Sequence, residues 1–140
     1  MEAEELSYGN YLLYNSKHIC KVVGVKCSDG MPYVRTTRSG IYYLITDYSP
    51  IPLSPEILEN NGFEKYELPN EVKTRLGVEF GHRLYINTAS ITVISGSLYI
   101  YKPYENWSIL PIRINMNVSS VHQLQQAMCL AGINKELCIL

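Results

Sequence analysis

Phenylalanine and tryptophan are scarce in this chain, two and one among 140 residues, and neither charge sign prevails, with 12 Lys and Arg against 13 Asp and Glu. A formal net charge of -1 supplies no basic field to concentrate a phosphate backbone, which argues against nucleic acid as the dominant partner and leaves only a local basic patch open. No run approaches the roughly 20 apolar residues of a membrane span. Met1-Glu2-Ala3-Glu4-Glu5 is acidic where a secretory leader is basic and then apolar, so a cytoplasmic protein with no membrane partner is expected.

Closely spaced cysteines are also lacking. Cys20 and Cys27 lie seven positions apart, Cys129 and Cys138 nine, and His18, His82 and His122 are scattered, whereas a structural zinc site uses tight ligand pairs. A reducing compartment disfavours disulfides, so four small, partly buried core cysteines are expected, with no metal and no cofactor. There is no Gly-rich phosphate loop, nucleophile elbow, metal-binding helix motif or close carboxylate pair. His122 and Cys129, two helical turns apart, are separated by about 10 Å, too far for a direct hydrogen bond. A non-enzymatic protein is the expectation.

Tyrosine is what the chain has in excess, twelve residues. Much of it falls on short alternating runs separated by turn residues: Tyr8 to Tyr14, His18 to Cys27, Met31 to Thr36 and Ile41 to Thr46, with turns at Ser28-Asp29-Gly30 and Arg38-Ser39-Gly40. These predict a small barrel-like N-terminal sheet. Gly24, in mid-strand, predicts a bulge or a close backbone approach. Pro50 and Pro52 enforce an extended segment unfit for a central strand. A short central helix then opens with Ser54 as N-cap and Pro55 at the first helical position, and stops at Asn60-Asn61-Gly62.

The stretch Pro69 to Gly81 has no firm assignment. Arg83 to Asn87, Ile91 to Ser95, Leu98 to Tyr104 and Trp107 to Ile114 read as further strands, the second and third joined at Gly96, the last weakened by Pro111. Leu98 and Ile100 point one way and Tyr99 and Tyr101 the other. Ser120-Val121-His122-Gln123 is a capping box opening one C-terminal helix that Gly132 ends, and Glu136 to Leu140 is a candidate closing strand. The fold class is α+β, mainly antiparallel β. It is read as a single domain of residues 1–140, or as two β-rich halves, 7–68 and 80–140.

Two segments, Ile51-Pro52-Leu53-Ser54-Pro55-Glu56-Ile57-Leu58-Glu59-Asn60-Asn61-Gly62-Phe63 and the last helix opening with Val121-His122-Gln123-Leu124-Gln125 and followed by Gly132-Ile133 and a short apolar terminus, together about a quarter of the chain, carry a likeness to known proteins. They resemble a group of small uncharacterised proteins of Bacteroidetes phages, prophages and conjugative elements. The resemblance implies a mobile-element origin, hence the host cytoplasm, and no particular activity.

The candidate ligand-binding residues are Arg35, Arg38, Tyr43, Tyr99, Tyr101, Trp107, Arg113, His122 and Gln125. Successive strand residues cannot all face one core, so some of Tyr42, Tyr43, Tyr99, Tyr101, Tyr104 and Trp107 must be exposed as stacking faces with a polar tip. Arg35 and Arg38 bracket a turn where two guanidiniums can clamp phosphate oxygens, and His82, Arg83 and Arg113 extend that set. Each has a plainer reading too. Tyrosines suit strands, arginines in turns are often solvated, and His122 can satisfy a carbonyl.

The expected function is non-catalytic sequestration of a small nucleotide-type host defence signal by a phage or mobile-element protein, with the pocket completed between protomers of a homo-oligomer. The alternative is a protein-interaction module, a host-protein inhibitor or assembly component. Single-stranded nucleic acid on an aromatic β-surface shares the stacking logic but lacks a positive groove.

Overall fold

The computed structural model describes residues 1–103 and 111–139. The chain divides into two compact units, Met1–Pro52 with Ser120–Gln126, and Leu53–Ser119 with Ala127–Leu140.

Turn chemistry shapes the first unit. Its strands are β1 (Tyr11–Tyr14), β2 (His18–Ser28), β3 (Met31–Thr36), β4 (Ser39–Leu44) and β5 (Tyr48–Pro50), all antiparallel in the order β4-β3-β2-β1-β5. Asp29 and Gly30 carry φ of 52° and 76°, the two positive values that match a tight hairpin to strand twist. The next turn is Thr37-Arg38, one residue earlier than its sequence suggests, because Ser39 already pairs with Thr36. The expected barrel-like closure does not occur. The edges β4 and β5 remain apart in an open sheet, and β5 is three residues long and ends in Pro50, which has no N–H to donate.

Gly24 serves both purposes expected of it. The register slips between Val22 and Gly24, and a Cβ at Gly24 would lie 2.7 Å from the Tyr42 hydroxyl, so the missing side chain lets that ring lie across the strand. The slip also means that alternation does not carry across β2: Val22 pairs with Thr36, and Val25 with Val34.

The core of this unit comprises Leu6, Leu12, Cys20, Val22, Val34, Ile45 and Tyr48, with Ala3, Tyr14 and Tyr43 packed on it. The helix α3 (Val121–Leu130) begins in this unit. There the Val121 N–H donates to the Ile51 carbonyl at 2.9 Å. Gln125 accepts the Tyr11 N–H at 2.9 Å and donates to the Gly9 carbonyl at 3.1 Å.

In the second unit, β6 (Glu64–Glu67), β7 (Phe80–Ile86), β8 (Ala89–Ile94), β9 (Ser97–Lys102) and β10 (Ile112–Asn117) form an antiparallel sheet in the order β10-β9-β8-β7-β6. Ser95 and Gly96 turn β8 into β9 with φ of 47° and 79°. The described part of the expected Trp107 to Ile114 strand starts at Ile112, after Pro111, and continues to Asn117; residues 104–110 lie outside the described set.

The helix α1 (Pro55–Asn60) follows its sequence signals, with Ser54 Oγ accepting the Ile57 N–H at 3.2 Å. Past it, Phe63 N–H reaches Leu58 O and Gly62 N–H reaches Glu59 O, and Ile133 and Gly132 repeat the pattern at the end of α3. The unassigned stretch contains the helix α2 (Asn70–Leu76), ended by Gly77 at φ 70°. No closing strand forms among the described residues of the C-terminus. Instead the Asn61 carboxamide binds the backbone of Cys138 twice, Oδ1 accepting its N–H at 2.6 Å and Nδ2 donating to its carbonyl at 2.7 Å.

The expectation of four partly buried cysteines is also corrected. Cys20 is buried and its thiol is pushed up in pKa by that burial, whereas Cys27, Cys129 and Cys138 are exposed, and none of the four is in a disulfide. Cys27 lies toward the far end of β2, beyond the bulge, and Cys129 is on the outer side of α3, next to the exposed Leu130.

Candidate functional site

Strand pairing in the second unit decides which side chains share a face. Arg113 pairs with Tyr101, Tyr101 with Ser90 and Ser90 with Tyr85, and the adjacent row runs Asn115, Tyr99, Thr92, Arg83 and Glu64. Because alternate residues point to opposite faces, these two rows lie on one side, while Leu98, Ile100, Ile91 and Val93 lie on the other and are buried. Tyr85, Tyr99 and Tyr101 remain 64%, 44% and 41% exposed. One sheet face therefore presents aromatic and arginine side chains to solvent.

Its relief follows from residue size. In the two rows that carry the tyrosines of β9 and Tyr85 of β7, the central strand β8 contributes Ser90 and Thr92, short hydroxyl side chains. An open depression of about 410 Å³ lies over β8, β9 and β10, lined by the side chains of Tyr99, Tyr101, Arg113, Ser90, Thr92 and Asn115. The Arg113 guanidinium sits 5.2 Å from the Tyr101 ring centre. On the other flank Arg83 stacks at 4.3 Å on Tyr66, donates from Nε to Thr92 Oγ1 at 3.3 Å and from Nη1 to the Tyr85 hydroxyl at 3.3 Å. Tyr66 fits there because its ring lies over Gly81, where a Cβ would come within 2.9 Å of it. Among the described residues neither arginine is within ion-pair distance of a carboxylate.

Of the candidates read from sequence, Tyr99, Tyr101 and Arg113 converge here, within one chain. Trp107 lies outside the described residues. Arg35 and Arg38 do not join into one clamp: Arg35 lies 5.3 Å from the Tyr42 ring, with its Nε buried and unbonded, and Arg38 lies 4.2 Å from the Tyr14 ring. Tyr43 faces the first unit's core, its ring centre 5.3 Å from that of Tyr14, so Tyr42 takes the opposite face.

Gln125 is spent on the backbone of Gly9 and Tyr11. His122 is 2% exposed, with Nδ1 3.1 Å from Ser120 Oγ and Nε2 3.7 Å from a Glu5 carboxylate oxygen. Burial lowers its pKa, partly offset by the Glu5 charge. Both side chains lie in structural positions.

Sequence reasoning passed over Tyr66, Tyr85, Ser90, Thr92 and Asn115. The Arg83-Leu84-Tyr85 alternation was the available signal for Tyr85; the others needed the strand order. A second, smaller cavity of about 260 Å³ is lined by Leu53, Leu58, Phe80 and Val93 with His82, whose Nε2 is 3.3 Å from Glu59. Among the described residues no group of three or more His, Cys, Asp or Glu is placed to hold a metal ion, and no helix is long and apolar enough to cross a membrane. Comparison with protein-family models, curated proteins and solved structures returns no match.

Proposed function

We propose that this is a non-catalytic binding protein whose ligand is a small, planar, anionic molecule of the nucleotide type, held on the open face of the second unit's sheet. The observation that carries this reading is the convergence of Tyr99, Tyr101 and Arg113 around one depression floored by Ser90 and Thr92. A tyrosine face stacks on a base at low entropic cost, and the hydroxyls and the Asn115 carboxamide match polar ring edges. A guanidinium that has no carboxylate partner among the described residues supplies bidentate bonds to phosphate. The resemblance to mobile-element proteins adds a setting in which such a ligand is a host defence signal.

A panel of nucleoside mono-, di- and triphosphates in a thermal-shift assay tests this. At least one raises the melting temperature in a concentration-dependent way. Arg113→Ala and Tyr101→Ala each weaken that ligand about 10-fold or more while leaving the unliganded melting temperature within a degree or two, because both side chains are exposed. No shift with any nucleotide overturns the reading. A protein partner is the second reading, favoured by three exposed tyrosines on a single face, since tyrosine anchors dominate many interfaces.

A further inference from the structure

The depression explains one half of the exposed face and leaves the other unused. Tyr85, the more exposed flank of the Ser90 and Thr92 floor, is not idle surface. Its hydroxyl is tied to Arg83, and Arg83 is tied in turn to Thr92 and stacked on Tyr66, so the ring is held in place although little of it is buried. Ordering an exposed aromatic side chain costs rotamer entropy that burial does not return here. Arg83 uses two of its five N–H donors in these bonds, and among the described residues the other three make no hydrogen bond and can face an anion.

The face thus carries two aromatic flanks, each with its own arginine: Tyr101 with Arg113, and Tyr85 with Arg83. Tyr101 and Tyr85 both pair with Ser90, which puts them two strand spacings apart, about 10 Å. That separation is too wide for one ring to touch both and suits two rings splayed apart by a linker.

Deepening the reading above and resting on it, we infer that the ligand is a dinucleotide-type molecule, two bases joined through phosphate, with one base against Tyr101 and the other against Tyr85. The linking phosphate lies over Ser90 and Thr92, within reach of the arginine donors. The charge complementarity is local. Two arginines face one or two phosphates, and the near-neutral chain adds no wider field.

Isothermal titration of the full chain with a nucleoside 5′-monophosphate, and with the 3′,5′-linked dinucleotide of the same base in linear and cyclic form, tests this. The expected result is 1:1 binding of a dinucleotide at least 10-fold tighter than the mononucleotide. Tyr85→Ala removes that gain and leaves mononucleotide affinity unchanged, whereas Arg113→Ala weakens both. Equal affinities, or two mononucleotides bound per chain with no dinucleotide advantage, overturn the inference while the nucleotide reading stands. Binding of neither removes both. Longer single-stranded oligonucleotides separate the sources of this chemistry. Affinity that is flat with length supports a free dinucleotide, and affinity that rises with length, together with a steeper salt dependence, supports the same two-base unit within a strand.

Discussion

At the scale of single residues, the contrast between Tyr43 and Tyr99 shows what alternation conveys. Both are tyrosines on strands, yet Tyr43 packs on a core and Tyr99 is 44% exposed, and parity within the strand separates them. The split of Leu98 and Ile100 from Tyr99 and Tyr101 was legible for this reason. His122 carries a residue-scale prediction. Its folded pKa lies below the ordinary 6.5 because burial disfavours the imidazolium, so between those two values the unfolded chain binds more protons than the folded one. The stabilisation from neutral His122 is fully present above about pH 6.5 and is lost as pH falls through the folded value. Urea midpoints measured between pH 8 and pH 5 should fall in that window, and His122→Asn, which keeps a polar partner for Ser120, should flatten the decline. An identical slope in the variant would show that another group is responsible.

At the scale of elements, legibility followed the strength of local chemistry. The helix α1 was readable because Ser54, Pro55 and Gly62 each mark a terminus by geometry. The elements β6 and α2 were not. Glu64-Lys65-Tyr66-Glu67 is an edge strand of mostly charged residues, and α2 buries no residue, so neither shows an apolar period. Asn61 carries the tie between α1 and the C-terminal segment of the same unit. It is buried and its carboxamide makes three hydrogen bonds, to Ile57 O at 2.8 Å and to both backbone groups of Cys138. Asn61→Ala should cost about 1–3 kcal/mol and expose the Cys138 amide to rapid hydrogen exchange. Ser54→Ala, losing one capping bond, should cost about 1 kcal/mol and leave that amide protected.

For the whole molecule, the division into units does not follow chain order, since Ser120–Gln126 belongs with Met1–Pro52. A fragment of residues 1–52 lacks the partners of the Tyr11 N–H and of the Gly9 and Ile51 carbonyls, and loses the buried Val121 and Leu124. Such a fragment should be unfolded by circular dichroism and show little amide dispersion by NMR; a well-dispersed spectrum would show that the returning segment is dispensable. The sequence by itself determined the fold class, the Asp29-Gly30 and Ser95-Gly96 turns, the caps of α1 and the outward parity of Tyr99 and Tyr101, because each depends on interactions within a few residues. Tertiary structure alone decided that the first sheet stays open, that Gln125 is consumed by the backbone and that Arg113, Tyr101 and Tyr85 lie along one row. These depend on which strands lie side by side, and strand order is set by burial and pairing between residues distant in sequence.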